Sequence, residues 1–148
     1  MDTVYGLCAD PYREEPVREL YRMKQRPAEQ PMALLAKDVD FLVGLVPELR
    51  DGADMLVRAL LPGPFTLVLP NPGERFRWLT GSTPDRIGVR VPDHAVAQAL
   101  LEELAEPLLS STLIPAGETE PLNDPQAIRD RYNHALELII DSGPRWNM

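Results

Sequence analysis

Three groups of residues have the types and spacing to do chemistry. Lys24 and Arg26 are two cations one residue apart, immediately before Pro27. Such a pair can converge on a phosphate chain, because arginine takes two oxygens in its planar fork and lysine adds a point charge. The same pair also suits the negative end of a helix, and spacing alone does not separate these uses. Arg86 and Arg90 bracket Ile87-Gly88-Val89. Arg90 alternates with Val89 and Val91, so on a strand it faces away from them. A charge within so apolar a strand calls for a partner, either a structural carboxylate or an anionic ligand. Ser110-Ser111-Thr112 places three hydroxyls at the end of an expected strand, a common ligand-binding position in α/β sheets. Loop hydrogen bonding is the other use of such residues.

Other candidates carry less. Cys8 is the sole cysteine, which excludes an internal disulfide and any multi-cysteine metal site. A small buried residue is the expectation for it. His94 and His134 lack ligand spacing, so no metal site is assigned. Neither a Gly-x-Ser-x-Gly elbow nor a Walker loop is present, and no catalytic residue is assigned. Trp78, beside Arg75 and Arg77, can stack on a base or close the core.

The elements that must hold these residues follow from hydrophobic period and punctuation. Sixteen prolines in 148 residues cut the chain into short pieces. Thr3 to Leu7 reads as extended chain. Glu14, Glu15 and Pro16 suit a helix entrance, and Val17, Leu20 and Tyr21 give that helix one apolar face up to Pro27. Met32–Ala36 is a short apolar run of strand length. Asp38 can cap a helix carrying Phe41, Leu42 and Leu45, and a longer helix is expected from Glu48 to Leu61. Phe65–Leu69 and Ile87–Val91 read as strands, and Asp93 can cap a helix running to Leu104. Leu108–Thr112 is a further strand, Asp124-Pro125 opens a helix to about Tyr132, and Leu138–Asp141 is the last expected strand. Strands thus alternate with helices, the pattern of an α/β domain whose sheet is covered by helices.

Composition bounds the function. The chain has room for one domain and one core. Its net charge is −8, so general affinity for nucleic acid is disfavoured, and any polyanion site must be a local arginine patch. Arg13, Arg18, Arg22, Lys24 and Arg26 form one basic stretch, diluted by Glu14, Glu15 and Glu19. No apolar run reaches the ~20 residues of a membrane span, and the first residues lack a signal-peptide pattern. A cytoplasmic protein without membrane association is expected.

Several of these segments, taken in order, resemble the YrdC-like family. Asp2-Thr3-Val4-Tyr5-Gly6-Leu7 resembles the end of its Pro-Thr-[Asp/Glu]-Thr-Val-Tyr-Gly-Leu motif. Lys24-Gln25-Arg26-Pro27, followed by Gln30-Pro31-Met32, matches its Lys-x-Arg-Pro motif. Leu61-Pro62-Gly63-Pro64-Phe65-Thr66 is similar to its Trp-Pro-Gly-Pro-[Val/Leu/Phe]-Thr segment, and Ile87-Gly88-Val89-Arg90-Val91-Pro92 to its conserved strand. The resemblance implies a YrdC/RibB-type fold, a twisted mixed sheet covered by helices, over residues 1–148. The first and last strands of the family pattern are expected to lie outside these residues.

The resemblance also implies an activity, L-threonylcarbamoyladenylate synthesis. This nucleotidyltransferase reaction takes L-threonine, bicarbonate and ATP, with Mg2+, to threonylcarbamoyl-AMP and pyrophosphate, for threonylcarbamoyladenosine modification of tRNA. By motif position, Thr3, Arg90 and Thr112 would contact the amino-acid part. Lys24, Arg26, Gln30 and Arg86 would contact ATP. Ser110-Ser111-Thr112-Leu113-Ile114 departs from the synthase loop Ser-Thr-Ser-Ala-Asn: Thr112 keeps a hydroxyl, while Ile114 cannot supply the asparagine's amide. Ile114-Pro115-Ala116-Gly117 is similar to the YciO branch, so full synthase turnover by this chain is not expected. The alternative is a double-stranded-RNA- or nucleotide-binding module without turnover.

Overall fold

The computed structural model describes residues 5–24, 32–50, 52–63, 65–70, 76, 86–113 and 120–143, except the side chains of residues 24 and 48. Among these residues five short strands form one mixed sheet: β1 (Gly6–Ala9), β2 (Ala33–Leu35), β3 (Leu67–Pro70), β4 (Arg86–Arg90) and β5 (Leu108–Thr112). Their spatial order is β1-β5-β2-β4-β3. β2 and β4 run parallel, and the other three pairings are antiparallel. The helices are α1 (Glu14–Lys24), α2 (Val39–Leu45), α3 (Ala53–Leu60), α4 (Ala95–Leu104) and α5 (Pro125–Tyr132). The α/β class expected from the alternation is the class observed.

The strand period decides which face is buried. Leu34, Ile87, Val89, Leu109 and Leu7 occupy alternate positions and point to one side, into the main core. Val17 and Leu20 of α1, Val39 and Leu42 of α2, Val57 of α3 and Ile128 of α5 meet them there. Phe76 is completely buried in the same cluster and stacks on Tyr12 at 5.2 Å between ring centroids. Each such side chain contributes about 1.5–3 kcal/mol by leaving water. Leu35 and Leu101 are also buried, outside this cluster.

Several expected elements are shifted or divided. Glu14 and Glu15 lie in the first turn of α1, as expected, but the helix starts two residues ahead of Pro16. Proline is accommodated because the first-turn N–H groups lack intrahelical partners. Asp38 caps α2, its carboxylate accepting the Phe41 N–H at 2.7 Å. The long helix expected from Glu48 to Leu61 is two pieces, a 3-10 turn (Pro47–Arg50) and α3. Gly52 between them has φ +98°, a left-handed conformation that suits glycine and interrupts the helix. α3 consequently buries Val57 but leaves Leu56 67% exposed.

The cap of α4 is His94 rather than Asp93: its Nδ1 accepts the N–H groups of Val96 and Ala97 at 3.2 and 3.4 Å. Only Leu101 of that helix is buried, whereas Val96 and Leu104 are exposed. Leu138–Asp141 is not a strand. A strand exists by pairing, and the residues just after this segment are instead held through a side chain. The Tyr5 hydroxyl donates to the Gly143 carbonyl at 2.6 Å and accepts the Ser142 N–H at 3.1 Å. Among the described residues no helix is long and apolar enough to cross a membrane.

Candidate active site

The sheet's second face carries the candidate chemistry. Registers across the strands define its rows. In one row Cys8 stands opposite Ser110, Ser110 opposite Ala33, Ala33 opposite Gly88 and Gly88 opposite Val68. Gly6 pairs with Thr112 on the same face, while Arg86 and Arg90 lie two residues to either side of Gly88. Short side chains thus pave the middle of this face and the two arginines stand on β4.

Arg90 has the more constrained position. Its carbonyl accepts the Ala36 N–H at 2.9 Å, and the next carbonyl, of Val91, accepts the Gly63 N–H at 3.1 Å. The backbone is therefore fixed on both sides. Its Nε is buried and has no hydrogen-bond partner. Among the described residues neither Arg90 nor Arg86 joins an ion pair, whereas Arg18, Arg22, Arg58 and Arg129 all do. The structural-carboxylate alternative for the two β4 arginines is thus unsupported among the described residues. Arg86 is exposed. Both are placed to meet an anion, and a buried unpaired donor is costly unless a ligand satisfies it.

The hydroxyl group divides by face. Ser111 pairs with Leu7 and points with it toward the core side, so it does not join the row. Ser110 and Thr112 point to the open face. Ser110 is only 5% exposed and hydrogen-bonds the Cys8 thiol. Cys8 is exposed, contrary to the sequence expectation of a buried cysteine. Surrounding protein nevertheless desolvates the sulfur: this raises the thiol pKa above its ordinary value, and the bond to Ser110 pulls it partly back. Exposure describes the whole residue, desolvation the sulfur's neighbourhood, and the direction of the shift follows the latter.

Of the sequence-selected residues, Arg86, Arg90 and Thr112 lie on this face, Thr112 toward the Arg86 end and Arg90 at the other. Lys24 is the last residue of α1, and its side chain lies outside the described residues, as do Thr3, Arg26 and Gln30. Ser110, of the trio singled out from sequence, also lies on this face, whereas Gly88 and Thr66 were not singled out as site residues. Alternation was the available signal for Gly88, which shares a face with both arginines.

A groove of about 790 Å3 lies elsewhere, against α1 and α5, lined by Glu19, Arg22, Gln126, Arg129, Tyr132 and His134. Arg22 is spent on Glu19 and Arg129 on Asp141, so these two cations are already neutralised. The open sheet face, although not a closed cavity, is the better candidate for an anionic substrate.

Comparisons with known proteins agree with this placement of the fold. The Sua5/YciO/YrdC family model, described as "Telomere recombination", matches residues 1–147. The chain is 34% identical to threonylcarbamoyl-AMP synthase of Pyrococcus abyssi, over 96% of this chain and 41% of that protein. It is also 34% identical to threonylcarbamoyl-AMP synthase of Yersinia enterocolitica, over 93% of this chain and 73% of that one. It thus spans less than half of the archaeal relative. The E. coli YciO crystal structure superposes with a TM-score of 0.84 at 31% identity, covering 98% of this chain and 70% of that one. P. abyssi Sua5 complexed with L-threonine gives 0.82 at 32%, covering 97% and 42%. With a family match over nearly its whole length and a mixed sheet that superposes on two solved members, the chain belongs to the Sua5/YciO/YrdC family.

Proposed function

We propose that the open face binds an amino acid and ATP and supports formation of threonylcarbamoyl-AMP. The observation that carries this reading is the pair Arg86 and Arg90, two cations on one face without ion-pair partners among the described residues. The relatives are threonylcarbamoyl-AMP synthases, and one was solved with L-threonine; with the family resemblance this supports L-threonine, bicarbonate and ATP as the substrate class. The reaction is one displacement. A carbamate oxygen of N-carboxythreonine attacks the α-phosphorus, an O–P bond forms, and the bond to the β-phosphate oxygen breaks to release pyrophosphate. Anion approaches anion in this step, so fixed cations lower its barrier by neutralising charge that develops there. In our assignment Arg90 takes the amino-acid or carbamate anion and Arg86 takes ATP phosphate, while Thr112, which the registers put at the Arg86 end of the face, adds a hydroxyl from there to the amino-acid part where it meets the phosphate. Lys24, Arg26 and Gln30 complete the ATP side, and Thr3 the threonine side.

The strands of the open face contain no carboxylate. The described face therefore does not fit a protein-held Mg2+, and no step is routed through one. The reaction belongs in the cytoplasm, where ATP and tRNA occur together.

The test is incubation with L-threonine, bicarbonate, Mg2+ and α-labelled ATP, followed by separation of threonylcarbamoyl-AMP. With Ile114 in place of the synthases' asparagine, the expected result is weak product formation, lost in Lys24→Ala and Arg90→Ala proteins. Product absent from wild type at every substrate concentration would overturn the synthase assignment. Binding of double-stranded RNA is the less favoured reading. Arg18 and Arg22 on α1 are paired with Glu14 at 2.6 Å and Glu19 at 2.5 Å, so that helix offers few unpaired cations to phosphate.

A further inference from the structure

We infer that Thr66 is a second anion-binding residue, acting with Arg90 as a two-residue clamp for a carboxylate. This deepens the functional reading above and rests on it for the identity of the ligand.

The placement follows from register. Leu67 pairs with Val89 in the antiparallel β3–β4 ladder, so continuing it by one residue sets Thr66 opposite Arg90. Neighbours so placed have Cβ atoms about 5 Å apart and share a face. The contact at Gly88 fixes the face independently. A Cβ built on Gly88 would lie 3.3 Å from the Thr66 Cγ2 and 3.9 Å from the Ala33 Cα. The threonine methyl therefore leans over the bare Cα of Gly88, on the open side. With the methyl seated there, the β-branched side chain has little torsional freedom. Its hydroxyl is held on the sheet's open face, and among the described residues it has no hydrogen-bond partner.

Thr66 is exposed, so the hydroxyl is accessible, and Arg90 beside it has a buried Nε–H without a partner. A carboxylate accepts about four hydrogen bonds in its plane, more than one guanidinium supplies. A hydroxyl on the adjacent strand supplies the next one. On this reading Gly88 is small in order to seat Thr66.

The experiment follows the Arg90 Nε–H resonance by NMR in the whole chain. It is titrated with acetate and, separately, with L-threonine and L-threoninamide. Acetate and L-threonine should shift the signal and the amide should not. Thr66→Val, which keeps the shape and removes the hydroxyl, should weaken both carboxylates about tenfold, and Thr66→Ser should not. Gly88→Ala should weaken them too, and adding Thr66→Ser should restore binding, because serine lacks the crowded methyl. Thr66→Val binding acetate as wild type does would overturn the clamp, as would an Arg90 signal insensitive to carboxylates. These outcomes are separate from the synthase test: a clamp that binds acetate through Thr66, in a protein yielding no threonylcarbamoyl-AMP, upholds this inference and overturns the reaction.

Discussion

Arg86 and Arg90 lie on the same face of β4 with Gly88 midway between them, four residues and about 13 Å apart along the strand. That span exceeds a single carboxylate and suits two anions approaching each other from opposite ends. On the proposed function the two arginines would serve different anions.

Arg86 is exposed and has no ion-pair partner among the described residues. Arg86→Ala should leave stability within about 0.5 kcal/mol of wild type in urea melts. It should weaken ATP about tenfold, as expected for one charge-assisted hydrogen bond, and leave L-threonine affinity unchanged. Calorimetric titration with each ligand separates the two effects. Equal losses for both ligands would refute the division of labour.

Arg90 differs because its Nε is buried and unpaired. Arg90→Met keeps the aliphatic stem and removes a donor that the protein does not satisfy. Its unfolding midpoint should be equal to or above that of wild type, while L-threonine binding falls at least a hundredfold. A lower midpoint with unchanged binding would show that Arg90 serves the fold.

Cys8 gives a pH prediction. Its raised pKa means that the native state holds the thiol proton more tightly than the unfolded chain does. Below the ordinary thiol pKa both states are protonated, and the group adds no pH dependence. As pH rises through that value the unfolded state loses its proton first, so stability falls. Stability measured from pH 7 to 10 should decline less in Cys8→Ala than in wild type. Alkylation by iodoacetamide should also be slower at pH 8 than for an unhindered cysteine, since the thiolate is the nucleophile. L-Threonine with ATP should slow it further if the row containing Cys8 and Ser110 lies under the substrate.

Tyr5 makes two hydrogen bonds that tie residues 142 and 143 to the start of β1. Tyr5→Phe removes both, at a cost of about 1–3 kcal/mol. Hydrogen exchange at the Ser142 amide should accelerate, whereas β5 amides should keep their protection. Unchanged exchange at Ser142 would mean that the segment is held by other contacts.

The sequence by itself determined the elements whose signals are local. Leu108–Thr112 and the helix from Pro125 to Tyr132 fall where period and punctuation put them, and Asp38 caps its helix as its position suggests. Alternation also turns Arg90 away from Val89 and Val91, because a strand's side-chain period needs no knowledge of its neighbours. Local signals failed where two answers are nearly equal in energy. Asp93 and His94 can each accept helix N–H groups, and the chain path selects the histidine. Gly52 can sit within a helix at modest cost, but a left-handed turn there lets Leu49 and Val57 both reach the core.

Only the tertiary structure decided which residues share a row. Strand order and register set Ser110 beside Cys8 and Ala33, and Thr66 over Gly88, although these residues are far apart in the chain. The same pairing left Leu138–Asp141 without a ladder, since its apolar run has strand character but, among the described residues, no strand beside it. Pairing is a long-range choice, made by burying Leu34, Val89 and Leu109 together on one face. The face left over carries the arginines and hydroxyls, and its arrangement is a consequence of that burial.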